Sequence, residues 1–148
     1  MGKRHLETAL VQTLEARPGT TASVRWRPFF LRPNHPPEGV AKPPNTPDNP
    51  RVGQRMKSAG AAVGIDFTGL CDRSPNTLRA HCLLKFTEAD TELQNRLSEI
   101  LFRQYFTDGL YPDEANLRKA AVEAGVADVD EAMSFVASDE PQQAVKAE

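Results

Sequence analysis

The stretch Ala22–Leu31 reads A-S-V-R-W-R-P-F-F-L. It is dense in the branched and aromatic residues that suit a pleated surface, so it reads as a β-strand. Side chains alternate across a strand. Val24 and Trp26 therefore share one face, and Arg25, Arg27, Phe29 and Leu31 share the other. Trp26, Phe29 and Phe30 are expected to serve the core. Pro28 has no N–H to give a ladder, which argues for an edge position or a bend. The difficulty lies outside the stretch, because every later apolar segment has helical spacing. A lone strand cannot satisfy its own backbone groups. Either another chain supplies the partner strand, or the sheet belongs to residues outside these 148.

Upstream, Leu6, Leu10 and Leu14 recur every four residues and predict an amphipathic helix over 2–16, stopped by Arg17-Pro18-Gly19. Downstream, residues 28–50 hold 8 of the 12 prolines. That density excludes helix and central strand and predicts a long loop, with residues 41–50 its flexible part.

From residue 51 the pattern is helical. A helix is expected over 51–63, with Val52, Met56, Ala59 and Val63 on one stripe, followed by a loop anchored by Ile65 and Phe67. Further helices are expected from Pro75-Asn76 to about Thr87 and over about 91–107. The latter carries its apolar face on Leu93, Leu97, Ile100, Leu101, Tyr105 and Phe106. Another is expected over 113–124, closed by Gly125 as a left-handed cap. Asp128 and Glu131 form a capping-box pattern for the next, burying Ala132, Phe135 and Val136, and Ser138-Asp139-Glu140-Pro141 opens one more.

Length and a 39% hydrophobic content suit one ordinary domain with a core. The net charge of -2 gives no global attraction to nucleic acid or membrane, and no apolar run approaches the roughly 20 residues of a membrane span. Charge is uneven: residues 1–60 carry 10 Lys+Arg against 4 Asp+Glu, and residues 61–148 carry 8 against 16. The N-terminal segment has no apolar signal core, and two cysteines fit free thiols, so a cytoplasmic location is expected.

His5, His35 and His81 are scattered, and Cys71 and Cys82 form no C-x-x-C, so neither a metal site nor a catalytic pair is expected. Cys82 lies in the apolar run C-L-L and reads as a buried thiol. His81, on the same helix, reads as a hydrogen-bonded core residue or as an acid or base facing a groove. Asn76 reads as a helix cap or as a groove residue.

The segments G-K-R-H-L-E-T-A-L, V-R-W-R-P-F-F-L-R-P-N-H-P-P-E-G-V, A-V-G-I-D-F, P-N-T-L-R-A-H-C-L-L and L-F-R-Q-Y-F-T-D-G, taken in order, resemble a DsbA-like thioredoxin-fold family. The resemblance covers nearly the whole chain. Its nearer branch holds cytoplasmic disulfide oxidoreductases named after a polyketide-biosynthesis protein. More distantly the chain is similar to 2-hydroxychromene-2-carboxylate isomerases and kappa-class glutathione transferases.

The fold class this implies is mostly α: the helical insertion domain of a DsbA-like thioredoxin fold (α/β), with one helix and one strand of an incomplete thioredoxin layer. The expected division is a partial layer over 1–40, a flexible loop over 41–50, the helical insertion over 51–140 and the start of a return helix over 141–148. The resemblance places the family's C-P-W-C-type motif just before Met1 and its cis-proline turn near the C-terminal end, so neither is expected here. It implies thiol–disulfide exchange with a protein or small-molecule substrate in an intact relative, and no activity of this chain alone. Phe29, Asn34, Pro37, Pro75, Asn76 and His81 are the substrate-groove candidates it carries over. Two alternatives stand beside it. One is a non-catalytic assembly module that forms a homodimer through residues 23–31. The other is a glutathione-dependent isomerase or transferase relative, with glutathione as its cofactor.

Overall fold

Leu83, Leu97, Leu117, Val136 and Val145 lie on five different helical segments and are all fully buried together, so the core is built by the C-terminal half of the chain. The computed structural model describes all residues 1–148. In chain order its elements are α1 (Gly2–Ala16), β1 (Val40–Ala41), α2 (Gln54–Ala61), β2 (Arg73–Ser74), α3 (Leu78–Phe86), α4 (Thr91–Phe106), α5 (Glu114–Ala124), α6 (Val129–Ala137) and α7 (Asp139–Ala147). Helix α3 packs against α4, α5, α6 and α7, and α5 also packs on α4 and α6. Ala120, Ala121 and Ala124 present a face with no long side chains, which lets α5 approach its neighbours closely.

Aspartates start three of these helices. Asp90 accepts from the Glu92 and Leu93 N–H groups at 3.0 and 2.9 Å. Asp113 accepts from the Asn116 N–H at 2.9 Å. Asp128 accepts from the Glu131 N–H at 2.8 Å. Each satisfies donors that the first turn leaves free. Gly125 closes α5 at φ 85, in the left-handed region that glycine enters without strain.

Ala22–Leu31 departs from expectation. The segment is extended, and residues 21–31 make no backbone–backbone hydrogen bond, so it is not a strand in a sheet. Its alternation survives: Val24, Trp26, Pro28 and Phe30 are half-buried, and Arg25, Arg27, Phe29 and Leu31 are exposed. No strand of this chain is available to pair with it. A side chain supplies one rung instead. Gln94 Oε1 accepts from the Trp26 N–H at 2.8 Å, and Gln94 Nε2 donates to the Trp26 carbonyl at 3.1 Å. The Trp26 indole N–H adds a bond to Asn95 Oδ1 at 3.1 Å. The placement of Phe29 in the core is also corrected: it is 75% exposed, and Phe30 takes the inward position, stacked on His81 at 4.9 Å.

The structure's only β-pairing lies elsewhere. Val40–Ala41 pairs antiparallel with Arg73–Ser74, and the Lys42 N–H extends it by donating to Asp72 O at 2.7 Å. Val40 falls in E-G-V-A-K, the longest proline-free run between Pro28 and Pro50, so its N–H groups remain available.

Two predicted apolar stripes find no partner. Helix α1 forms as expected but buries no residue; Leu6 and Leu14 are exposed and Leu10 half-buried. Ion pairs from Lys3 and Arg4 to Glu99 on α4 hold only its first turn. Helix α2 is shorter than the 51–63 expected, and Met56 and Ala59 face solvent. Gly60 is its one buried residue, set so close to the Phe67 ring that a Cβ would lie 2.4 Å from it. The anchors of this region are therefore in the following loop.

Candidate functional site

Where the extended segment crosses α3 and α4 it leaves a groove of about 610 Å³. Phe29, Leu31 and Arg32 form one wall. Helix α3 gives Ala80, His81 and Leu84, and α4 gives Leu101, Phe102, Gln104, Tyr105 and Phe106. Lys42, Ser74 and Pro75 close one end beside the β-bridge. The α4 residues fall there because positions three and four apart share a helix face.

The groove has one sign of charge. Arg27, Arg32 and Lys42 line it, and no carboxylate does. Arg27 is engaged by Glu148 at 3.1 Å and Glu88 at 3.9 Å. Lys42 Nζ donates to Cys71 O at 3.2 Å and sits 4.7 Å above the Tyr105 ring. Tyr105 is held in turn by its hydroxyl, which donates to Arg73 O at 3.2 Å.

His81 Nδ1 lies 2.7 Å from Thr77 O. A carbonyl only accepts, so Nδ1 carries the proton of the neutral ring. Burial disfavours the imidazolium and lowers the pKa below the ordinary histidine value, against the opposing bonds to the Thr77 and Phe29 carbonyls.

A second cleft of about 1000 Å³ runs between the first turn of α1 and the Met56–Phe67 region, sharing Trp26, Phe102 and Phe106 with the groove. Phe102 and Phe106 thus stand as a ridge between two cavities, which explains why both are exposed.

Of the six residues expected near a groove, Phe29, Pro75 and His81 line it together. Asn76 is next to the lining but turned to structural use. Its Nδ2 donates to His35 O at 2.7 Å, and its Oδ1 accepts from the Leu78 N–H at 3.0 Å. One side chain thus ties the proline-rich loop to the start of α3. Asn34 is exposed outside the groove. Pro37 also lies outside, its carbonyl accepting from the Tyr111 hydroxyl at 3.2 Å.

Both thiols are buried and unpaired, and neither lines the groove. Cys82 is fully buried in the core, and desolvation pushes its pKa up to about 11 despite the more distant charge of Lys146. Cys71 Sγ donates to Arg73 O at 3.4 Å. No group of three or more His, Cys, Asp and Glu comes together in metal-binding geometry. No helix is long and apolar enough to cross a membrane.

Sequence reasoning missed Gln94 and Gln104, both buried on α4, and the cation Lys42. A signal existed for the glutamines. Gln94 is three and seven residues before Leu97 and Leu101, and Gln104 three after Leu101, so both are polar residues inside an apolar stripe. Lys42 had none, because its place depends on the β-bridge.

Compared with known families, residues 1–148 match the model of the DSBA-like thioredoxin domain. No curated protein and no solved structure gave a match.

Proposed function

The chain belongs to the DSBA-like thioredoxin domain family, and from that premise we propose that it is the helical portion of a thiol–disulfide oxidoreductase of the cytoplasm. In this reading the helices α3–α7 form a rigid block whose groove, with Phe29, Pro75 and His81 in its walls, meets the substrate. The family match over residues 1–148 carries the reading.

Exchange needs a thiolate that attacks a disulfide sulfur, forms a mixed disulfide and expels the other sulfur as thiolate. These residues contain no C-x-x-C, and a buried thiol with a pKa of about 11 leaves only ~1 in 10⁴ molecules ionised at neutral pH. The chain is therefore inactive alone. The test is turbidimetric insulin reduction with dithiothreitol. The 148-residue chain should not raise the rate above background. An acceleration abolished by Cys71→Ala or Cys82→Ala would overturn the reading.

The unpaired edge of residues 23–31 supports a second reading, a homodimer. Along an extended chain, N–H and C=O of alternate residues point to opposite edges. Those of Trp26 turn to Gln94, so those of Arg25 and Arg27 turn outward, and Pro28 falls on the occupied side. Antiparallel pairing about a twofold at Arg27 sets Arg25 opposite Phe29 of the other copy and Ser23 opposite Leu31. Light scattering behind size-exclusion chromatography tests it: a monomer at all concentrations sinks it.

A further inference from the structure

Gln104 is the residue of the groove that the fold does not explain. It is only 5% exposed, yet its side-chain amide meets no donor or acceptor of the protein; its backbone is engaged, the carbonyl accepting from the Leu110 N–H at 2.7 Å. A side-chain amide held this deep normally meets a partner. The amide is not sealed in, since Arg73 Nε is the one fully enclosed polar side-chain atom left without a partner. Its open side is the groove, whose lining includes Gln104 itself.

The surroundings restrict what could meet it. Leu101, Phe102 and Phe106 beside it offer apolar surface. Lys42 and Arg32 are cations of the lining with no carboxylate in ion-pair distance, and no acidic residue lines the groove. A cavity of about 610 Å³ is of the size that holds small organic ligands. We propose that the groove binds an amphipathic organic anion, an apolar chain or ring with one carboxylate, whose head bonds the Gln104 amide and Lys42 while its body lies on the α4 aromatics. The proposal shares with the functional reading above the idea that this groove is a binding surface, but it requires no thiol chemistry.

Decanoate is the probe, with decanol as its uncharged counterpart. Trp26, the single tryptophan, lines the groove and reports binding by its fluorescence; calorimetry gives the stoichiometry. One saturable decanoate site per chain is expected, at least about tenfold tighter than decanol, which corresponds to ~1.4 kcal/mol. Lys42→Met and Gln104→Leu should each bring decanoate close to decanol. Should Gln104→Leu perturb folding, Arg32→Glu changes an exposed side chain and should weaken decanoate alone. No saturable binding, equal affinity for decanol, or decanoate affinity unchanged in folded Lys42→Met and Arg32→Glu would each overturn the proposal. A chain that fails every redox assay and still binds decanoate leaves it standing. A chain that does not bind decanoate leaves the family-based reading untouched.

Discussion

Gln94→Leu should detach the extended segment while leaving the helical block folded. Gln94 makes three hydrogen bonds, to the Trp26 N–H, the Trp26 carbonyl and Leu84 O at 2.8, 3.1 and 3.0 Å. Leucine is close in volume, so the packing loss at this fully buried position is small. Each lost bond is worth ~1 kcal/mol net, giving a ceiling near 3 kcal/mol. Leu84 O keeps the Thr87 hydroxyl at 3.1 Å and the half-buried Trp26 groups can recover water, so about 2 kcal/mol is expected. For a chain of this size that lowers Tm by roughly 4–8 °C if the whole fold shares the loss. It need not, because residues 21–31 have no other backbone–backbone bond. Urea unfolding followed by two probes separates the cases. Trp26 fluorescence reports the segment alone, and far-UV circular dichroism reports the helices. In the variant, the Trp26 transition should move to lower urea and separate from the helical one. Coincident transitions, unchanged from the parent protein, would refute the idea that a side-chain amide stands in for a missing strand.

Three further outcomes follow from the same geometry. Gly39→Ala should destabilise by about 2 kcal/mol or more in urea unfolding, because residue 39 has φ 75 and a Cβ would lie 2.6 Å from Ser74 O and 2.7 Å from the Tyr111 hydroxyl. His81 has a folded pKa below its unfolded value, so its contribution to stability is present above the unfolded pKa and is lost as pH falls through the folded one. Unfolding free energy should therefore decline on acidification from about pH 7, and His81→Gln should flatten that decline. Ellman's reagent at pH 8 should react slowly with native protein, since both thiols are buried and Cys82 ionises only near 11, and should titrate two thiols at once in guanidinium. Fast stoichiometric labelling of the native chain would contradict the placement of Cys82.

The parts of the fold legible in the sequence are those fixed by local rules. Asp113 and Asp128 announce their helices through a side chain that reaches N–H groups three residues on, and Gly125 ends α5 because it can turn left-handed without a Cβ clash. The small residues Ala120, Ala121 and Ala124 also stand at helical spacing, so the buried face of α5 is a local pattern too. Harder to read were features set by distant partners. Alternation at Val24–Phe30 separated inward from outward residues, and only the expectation that Phe29 joins the core failed, but alternation could not reveal that Gln94, 68 positions later, would bond the Trp26 backbone. The β-bridge was equally hidden, because two residues on each strand carry no period to detect.

The candidate site divides along the same line. Pro75 and His81 are near one another in sequence, and the helix that follows Asn76 brings them to one groove. Asn34 and Pro37 looked equivalent to them because all belong to the same run of family-like segments. The path of a proline-rich loop, however, depends on what it is tied to. Asn76 ties it at His35 O and Tyr111 ties it at Pro37 O, and on this path Asn34 and Pro37 stay outside the groove lining. Those two bonds also bring Gly39 against Ser74 and carry Lys42 to the Tyr105 ring. The loop is thus the element that charges the groove. Cutting either tie, by Asn76→Ala or Tyr111→Phe, should loosen Lys42 before it loosens the helical core.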